Sequence, residues 1–169
     1  MIRLVYLFYK HCLRKVREFV VLNKVKQHCG HVYIGGKTTL TKYTTLGENP
    51  NFNGMTINGQ GEVNIGNNFH SGSDCLMITS NHNYDNGESI PYDHTHILKK
   101  IIIEDNVWMG SRVTVLGNVH IGEGAIIQAG AVVVNNVPIG GIVGGNPAKI
   151  IKYRDLEHYN KLKAQGKFH

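Results

Sequence analysis

The sequence predicts an all-β chain wound as a solenoid of three-sided coils, with a helical segment at each end. Three observations lead there. From Ile103 the chain keeps a six-residue beat: Ile103, Met109, Val115, Ile121, Ile127 and Val133 are apolar. So are the residues four later, Val107, Val113, Val119, Ala125, Ala131 and Val137. Six is neither the alternation of a lone strand nor the period of a helix; it marks short strands that each turn a corner. The same beat runs through Ile34, Leu40 and Leu46, and again through Ile65, Ser71 and Met77, with Phe69, Cys75 and Asn81 four later. Glycine supplies 20 of the 169 residues, which suits many turns rather than many helices. A β-sandwich is the other fold built from many short strands, but it has no reason to keep a fixed period.

The elements follow in order. Residues 2–26 read as a helix, because Val5, Phe8, Cys12, Val16, Phe19 and Val20 recur at helical spacing. The uninterrupted apolar run Leu4–Tyr9 is far shorter than the ~20 residues of a membrane span, and no small-residue cleavage site follows it. Residues 1–29 therefore form a helical segment that caps the open end of the coils. Its basic, amphipathic character leaves a weak membrane-surface contact as the other reading. Residues 30–152 form the coil domain, with successive coils at 65–82, 103–120 and 121–138. Asn and Gly fill the turns, as in Ile65-Gly66-Asn67-Asn68, because both accept unusual backbone angles. Residues 153–169 form a charged tail with a short helix.

Composition narrows the function classes. The formal charge is +6, and the basic residues gather toward the two ends of the chain. An anionic small molecule, a membrane or a nucleic acid could each answer that charge, but no nucleic-acid-binding motif is present. Cys12, Cys29 and Cys75 are odd in number, widely spaced and without a paired-cysteine metal motif. That pattern suits a reducing compartment, so a cytoplasmic location is expected.

The chemistry is expected where the beat stops. It is lost after His82 and recovered only near Ile101. The intervening loop, 83–100, is polar, aromatic and rich in turns, and loops this long in a compact repeat are commonly functional. His82 stands where the loop leaves the coil, and imidazole is the side chain best suited to take a proton near neutral pH.

The coil repeat, the loop, Thr79-Ser80-Asn81-His82, Asn106-Val107-Trp108-Met109-Gly110-Ser111 and Gly144-Gly145-Asn146-Pro147-Ala148-Lys149 together resemble the hexapeptide-repeat acyltransferases. Within them the resemblance is to the galactoside, maltose and xenobiotic acetyltransferase branch and its polysaccharide O-acetyltransferase relatives. It covers roughly residues 30–152. It implies a left-handed parallel β-helix, an exception to the usual crossover hand. It also implies a homotrimer with sites between subunits, and acetyl-CoA as donor with no metal required.

Carried over residue by residue, the resemblance makes His82 the general base that takes the proton of an acceptor hydroxyl. The hydroxyl then attacks the thioester directly, so no acyl-enzyme forms and no cysteine is needed. The backbone N–H of Ser111 would hold the oxyanion, with Gly110 allowing close approach. Trp108 would wall the acceptor pocket or the thioester end of the donor, or else pack at a subunit interface. Ala129 and Gly130 would line the pantetheine path, and Gly145, Asn146 and Pro147 the loop beside it. Lys149 and Lys152 match basic positions that face the phosphates or adenine. Relatives often carry a Lys where this chain has Asn135-Asn136, so the phosphate contact there is expected to fall to Lys149, Lys152 or Arg154. Asn51 and Asn53 resemble a sugar-contacting segment, although Asn also belongs in turns. Asp85 would orient His82, bind an acceptor hydroxyl, or simply be a solvated loop carboxylate. The resulting expectation is O-acetylation of a sugar or polysaccharide precursor. N-acetylation of an amino-sugar nucleotide is the alternative. A metal enzyme on the same coils would need three converging histidines, and His94 and His96 sit at the wrong spacing for it.

Overall fold

The structure is a computed structural model and describes residues 2–169, with side chains from Arg3 onward. Three parallel sheets form the walls of a prism. The first wall stacks Gln27–His28, Thr44–Leu46, Val63–Ile65, Ile101–Ile103 and Val119–Ile121. The second stacks Tyr33–Ile34, Asn51–Phe52, His70–Ser71, Trp108–Met109, Ile126–Ile127 and Gly141–Gly144. The third stacks Thr38–Thr39, Met55–Asn58, Cys75–Ile78, Thr114–Leu116 and Val132–Val133. Lys149–Tyr153 turns back as an antiparallel strand on the outer edge of the second wall.

The register shows why the six-residue beat exists. Ile103 pairs with Ile65 and Ile121 on the first wall, Met109 with Ser71 and Ile127 on the second, and Val115 with Met77 and Val133 on the third. All twelve beat positions from Ile103 to Val137 are buried. Each coil thus buries two residues from every wall, the first of each hexad and the one four later. Phe52 and Phe69 meet in the second and third coils with ring centroids 5.4 Å apart.

Ser71 is the polar exception on the beat. It is completely buried between coils, and its Oγ has no hydrogen-bond partner. An unpaired buried hydroxyl is a cost, not a gain. Ser71→Ala is therefore expected to stabilise the fold by about 1 kcal/mol, raising Tm by ~2–4 °C in a thermal melt. A Tm lowered by as much would show that the hydroxyl is satisfied in solution.

The corner between the first and second walls turns on a ladder of left-handed residues: Gly30, Asn49, Asn68, Asn106, Gly124 and Gly140 all have φ between 52° and 67°. Asparagine tolerates this region and also carries an amide that can bridge coils. Asn49 Nδ2 donates to Asn68 Oδ1 (3.1 Å), and Asn68 Nδ2 donates to Asn106 Oδ1 (3.0 Å). Asn106 Nδ2 donates in turn to the Tyr159 hydroxyl (2.8 Å), which donates to Glu123 Oε1 (2.7 Å). Tyr159 belongs to α2 (Leu156–Ala164), so this ladder anchors the C-terminal helix along the corner. Burial, then the bond to Glu123, pushes the Tyr159 hydroxyl up to about 12. Asp155 caps α2 by accepting from the His158 N–H.

At the other end, α1 (Ile2–Leu22) lies over Tyr33–Ile34 and Thr38–Thr39. Val21 is buried there, and Leu22 and Val25 pack against the core. The helix stops four residues short of the expected 26, and Gln27–His28 already belongs to the first wall. No helix of the described residues is long and apolar enough to cross a membrane.

Candidate active site

The coil stack is interrupted once. Ile65 pairs with Ile103, 38 residues on, whereas the coil before pairs Leu46 with Ile65, 19 residues on. The extra chain leaves the third wall after Cys75–Ile78 and returns to the first at Ile101–Ile103. Its base is fixed by Thr79, which is fully buried. The Thr79 hydroxyl donates to Asn58 O (2.9 Å) and accepts from the Gly61 N–H (3.1 Å), while Lys99 N–H donates to Thr79 O (2.8 Å). Above that base, Ser80–His82 and His96–Leu98 pair as an antiparallel hairpin, with His82 directly opposite His96.

The hairpin holds His82 by its neighbours. Its ring stacks on Tyr92 at 3.7 Å between centroids and 11° between planes, and lies 4.7 Å from the His96 ring. The side chain is otherwise open, facing a hollow lined by Ser80, Asn81, Tyr84, Tyr92 and His96. The loop beyond is shaped by Asp93, not Asp85. Asp93 accepts from the Thr95 hydroxyl and backbone N–H and from the Glu88 N–H. Those bonds, the Thr95 hydroxyl first, hold its carboxyl at about 2. A carboxyl depressed in this way supports the loop above its ordinary value of 3.8, and that support is lost only as pH falls toward 2. The loop therefore keeps this tie throughout the range in which imidazole titrates. Asp85 is exposed, and no hydrogen bond joins it to His82. Among the described residues no group of three or more His, Cys, Asp or Glu converges, and the His82–His96 pair has no third ligand beside it.

A second set of expected residues gathers at the corner between the second and third walls. Ser111, Ala129-Gly130 and Gly145-Asn146-Pro147 occupy this corner in three successive coils. Gly130 N–H donates to Ser111 O (2.9 Å), and Val132 N–H to Gly145 O (2.9 Å), so the three turns form one ladder. Ser111 Oγ accepts from the Ser73 N–H (3.2 Å) in the coil before, whereas no acceptor meets the Ser111 backbone N–H among the described residues. Gly110 has a packing reason to be glycine: a Cβ there would sit 2.6 Å from Ala129 N in the next coil. Ala129, Gly130, Gly145, Asn146 and Pro147 are exposed. Lys149 and Lys152 extend this surface on the back-turned strand, pairing with Gly144 and Ile142; both are exposed, and among the described residues neither pairs with a carboxylate.

The remaining expected residues lie on the second wall. Trp108 is 51% exposed, and with Asn51 it lines a groove of about 440 Å³ between the wall and α2. His70, Arg154, Tyr159, Lys167 and Phe168 complete its sides. Burial, with the charge of His169 adding to it, holds His70 below the usual imidazole range. Asn53 is turned inward to the coil, donating to Ser71 O (2.9 Å) and approaching His70 Nε2 (3.3 Å).

One chain does not bring all of these together. His82 projects from the corner between the third and first walls, while the Ser111 ladder runs along the corner between the second and third. Tyr92 and His96, which hold His82, and the α2 side of the Trp108 groove were not legible as site residues. Nothing in the loop's spacing sets the hairpin register, and α2 is held beside Trp108 by the asparagine ladder together with Tyr159 and Lys163 on Glu123.

Comparison with known proteins bears on the repeat and the fold. Residues 100–135 match the family model described as "Bacterial transferase hexapeptide (six repeats)". A 2,3,4,5-tetrahydropyridine-2,6-dicarboxylate N-acetyltransferase of Staphylococcus aureus (strain JH9) is 50% identical over 52 residues, 31% of this chain and 22% of that protein. The chain thus matches less than a quarter of that relative's length. A galactoside acetyltransferase in complex with coenzyme A superposes with a TM-score of 0.68 at 19% identity, covering 86% of this chain and 73% of that one. A maltose O-acetyltransferase from Clostridium difficile 630 superposes with a TM-score of 0.64 at 21% identity, covering 82% and 75%. The chain therefore carries the bacterial transferase hexapeptide repeat on the fold shared by the hexapeptide-repeat acetyltransferases.

Proposed function

We propose that this chain is an acetyl-CoA-dependent O-acetyltransferase whose acceptor is a hydroxyl of a sugar or polysaccharide precursor. The observation that carries this reading is a division of labour between two corners. One presents an exposed imidazole held by aromatic stacking. The other presents the free Ser111 N–H at the head of a three-coil ladder of exposed backbone. Acetyl transfer from a thioester needs both: a base for the attacking hydroxyl and a donor for the oxyanion.

In this reading His82 takes the acceptor's proton as its oxygen attacks the thioester carbonyl. The carbonyl oxygen becomes an oxyanion held by the Ser111 N–H. Collapse expels the CoA thiolate, which recovers the proton from the His82 imidazolium. The extended pantetheine arm runs past Ala129, Gly130 and the Gly145–Pro147 turn, and Lys149 and Lys152 meet the phosphates. Because the two corners are apart within one chain, the site is shared between copies, in a homotrimer. The Trp108 groove serves the acceptor: the ring offers an apolar face for a sugar, and Asn51 offers an amide for its hydroxyls.

N-acetylation is the second reading, favoured by the 52-residue match to an N-acetyltransferase. The deciding experiment incubates the protein with acetyl-CoA and a panel of hydroxyl and amino sugars, reading free thiol and product mass. An O-acetyl product is cleaved by mild base and an amide is not. Absence of any acetylated product across the panel, with no CoA bound, would sink both readings.

The lysines give a separate expectation. Lys149→Ala with Lys152→Ala should raise KM for acetyl-CoA about 5- to 30-fold, since exposed ion pairs contribute ~0.5–1 kcal/mol each. The kcat should stay near wild type, because the nucleotide end is unchanged between ground and transition states. A wild-type KM at low ionic strength would mean that the donor is anchored elsewhere.

A further inference from the structure

Helix α1 is amphipathic in the reverse sense to an ordinary capping helix. It meets the coils largely with its charged side. Arg17 Nη1 donates to Gly35 O (2.8 Å), and the Arg14 guanidinium lies over the Tyr33 ring at 5.0 Å. Glu18 is 6% exposed, paired with Arg14 and Lys15, and among the described residues of the helix only Val21 is a buried apolar one. The apolar stripe at Val5, Phe8, Cys12, Val16 and Phe19 therefore points away from the protein. Phe8 is 70% and Phe19 71% exposed, and residues 3–12 have no buried member. A soluble helix ordinarily turns such a stripe inward, and a large exposed apolar face marks an interaction surface.

Charge identifies what meets it. Residues 1–26 hold seven of the chain's 18 Lys and Arg but only one of its 12 Asp and Glu. The rest of the chain is balanced, so the entire formal charge of +6 resides in this segment. The single acid, Glu18, is already buried and paired. We propose that α1 binds the surface of an anionic lipid bilayer, with its outward stripe in the acyl boundary and Arg3, Lys10 and Lys24 against the headgroups, since Arg14, Lys15, Arg17 and Lys26 are engaged by Glu18, the coils and Glu62. The helix lies in the interface rather than across it, since it is not apolar enough to span. Self-association through the same stripe would gather a strongly cationic segment from every copy with no acid to offset it. Anionic lipid instead attracts each basic residue near the surface by about fivefold in binding. This inference does not depend on the acetyltransferase reading.

The test is co-sedimentation of the full chain with vesicles of phosphatidylcholine alone, or with about one-third phosphatidylglycerol. The wild type should pellet with the anionic vesicles at ~0.1 M NaCl and lose about tenfold or more of that binding at ~0.5 M. The double substitution Phe8→Asp, Phe19→Asp removes two large exposed apolar groups and should cut partitioning at least about tenfold. Its thermal unfolding and solution mass should not change, because neither ring packs on the coils. The proposal is overturned if the wild type stays in the supernatant with anionic vesicles at low salt. It is also overturned if the neutral vesicles bind equally well, or if the double variant binds like the wild type. A double variant of smaller solution mass would assign the stripe to contacts between copies instead.

Discussion

His82→Ala is expected to lower acetyl transfer by about 10²–10⁴-fold while leaving acetyl-CoA affinity close to wild type. Three features separate the two effects. The imidazole is exposed on the inserted hairpin, and its ring contacts are Tyr92 and His96. Removing it deletes no core contact, so thermal stability should hold. The ladder at Ser111, Ala129 and Gly145, proposed to hold the donor, lies at a different corner and keeps all of its bonds. The loop's own ties, through Asp93, Thr95 and Glu88, do not involve His82. Steady-state rates and calorimetric CoA binding, measured on the same preparation, provide the test. The variant should also lose the limb of the pH–rate profile on which activity rises as imidazole is deprotonated. A parallel loss of CoA affinity would make His82 a structural or donor-binding residue. An unchanged rate would remove it from the chemistry.

The coil domain was legible because its physics is periodic. Every wall of the prism faces the same interior, so the constraint at Ile103 repeats at Met109 and Val115 and becomes a pattern in the sequence. The break in the pattern was equally legible, and His82 stood out as the last residue before it. What lay inside the break was not. The hairpin that sets His82 against His96 depends on two three-residue strands with no alternation to betray them. Tyr92 stacks on His82 from ten positions away across a loop of irregular shape. Asp85 drew attention by its closeness in sequence, whereas the carboxylate that organises the loop is Asp93.

The asparagines show the same limit from the other side. Asn49, Asn68 and Asn106 read as turn residues, and the left-handed backbone at each bears that out. Their side chains, however, form a bonded column that ends at Tyr159. A column of this kind joins residues spaced by whole coils, and its terminus on a distant helix has no local signature. The Trp108 groove follows from it, because α2 forms the far side. Gly110 teaches a related lesson. Its lack of a side chain suggested room for a ligand, and the first demand on it comes from the Ala129 backbone 2.6 Å from where a Cβ would be.

Two inactive variants are expected to restore activity when mixed within one oligomer. His82→Ala removes the base, and Ala129→Arg places a long cation on the exposed ladder that the pantetheine is proposed to follow. Each alone should be nearly inactive, for different reasons. Because His82 and Ala129 occupy different corners of one chain, a shared site takes its base from one subunit and its donor ladder from the next. In a randomly mixed ring, a site works when the base comes from an Ala129→Arg chain and the ladder from a His82→Ala chain. Every trimer that holds both variants, in either ratio, has one such site in three. Co-expression with two purification tags, followed by sequential capture, isolates the mixed species for kinetics. Ala129 is exposed, and its side chain is no part of the core, so the variant should fold and melt as the wild type does. Recovery to roughly this fraction of wild-type kcat would place the two halves of the site on different chains. If mixed oligomers stay as inactive as their parents while each variant still folds and assembles, the base and the ladder must serve the same chain. The hairpin would then have to swing from its corner to reach Ser111, and the shared-site reading would fail.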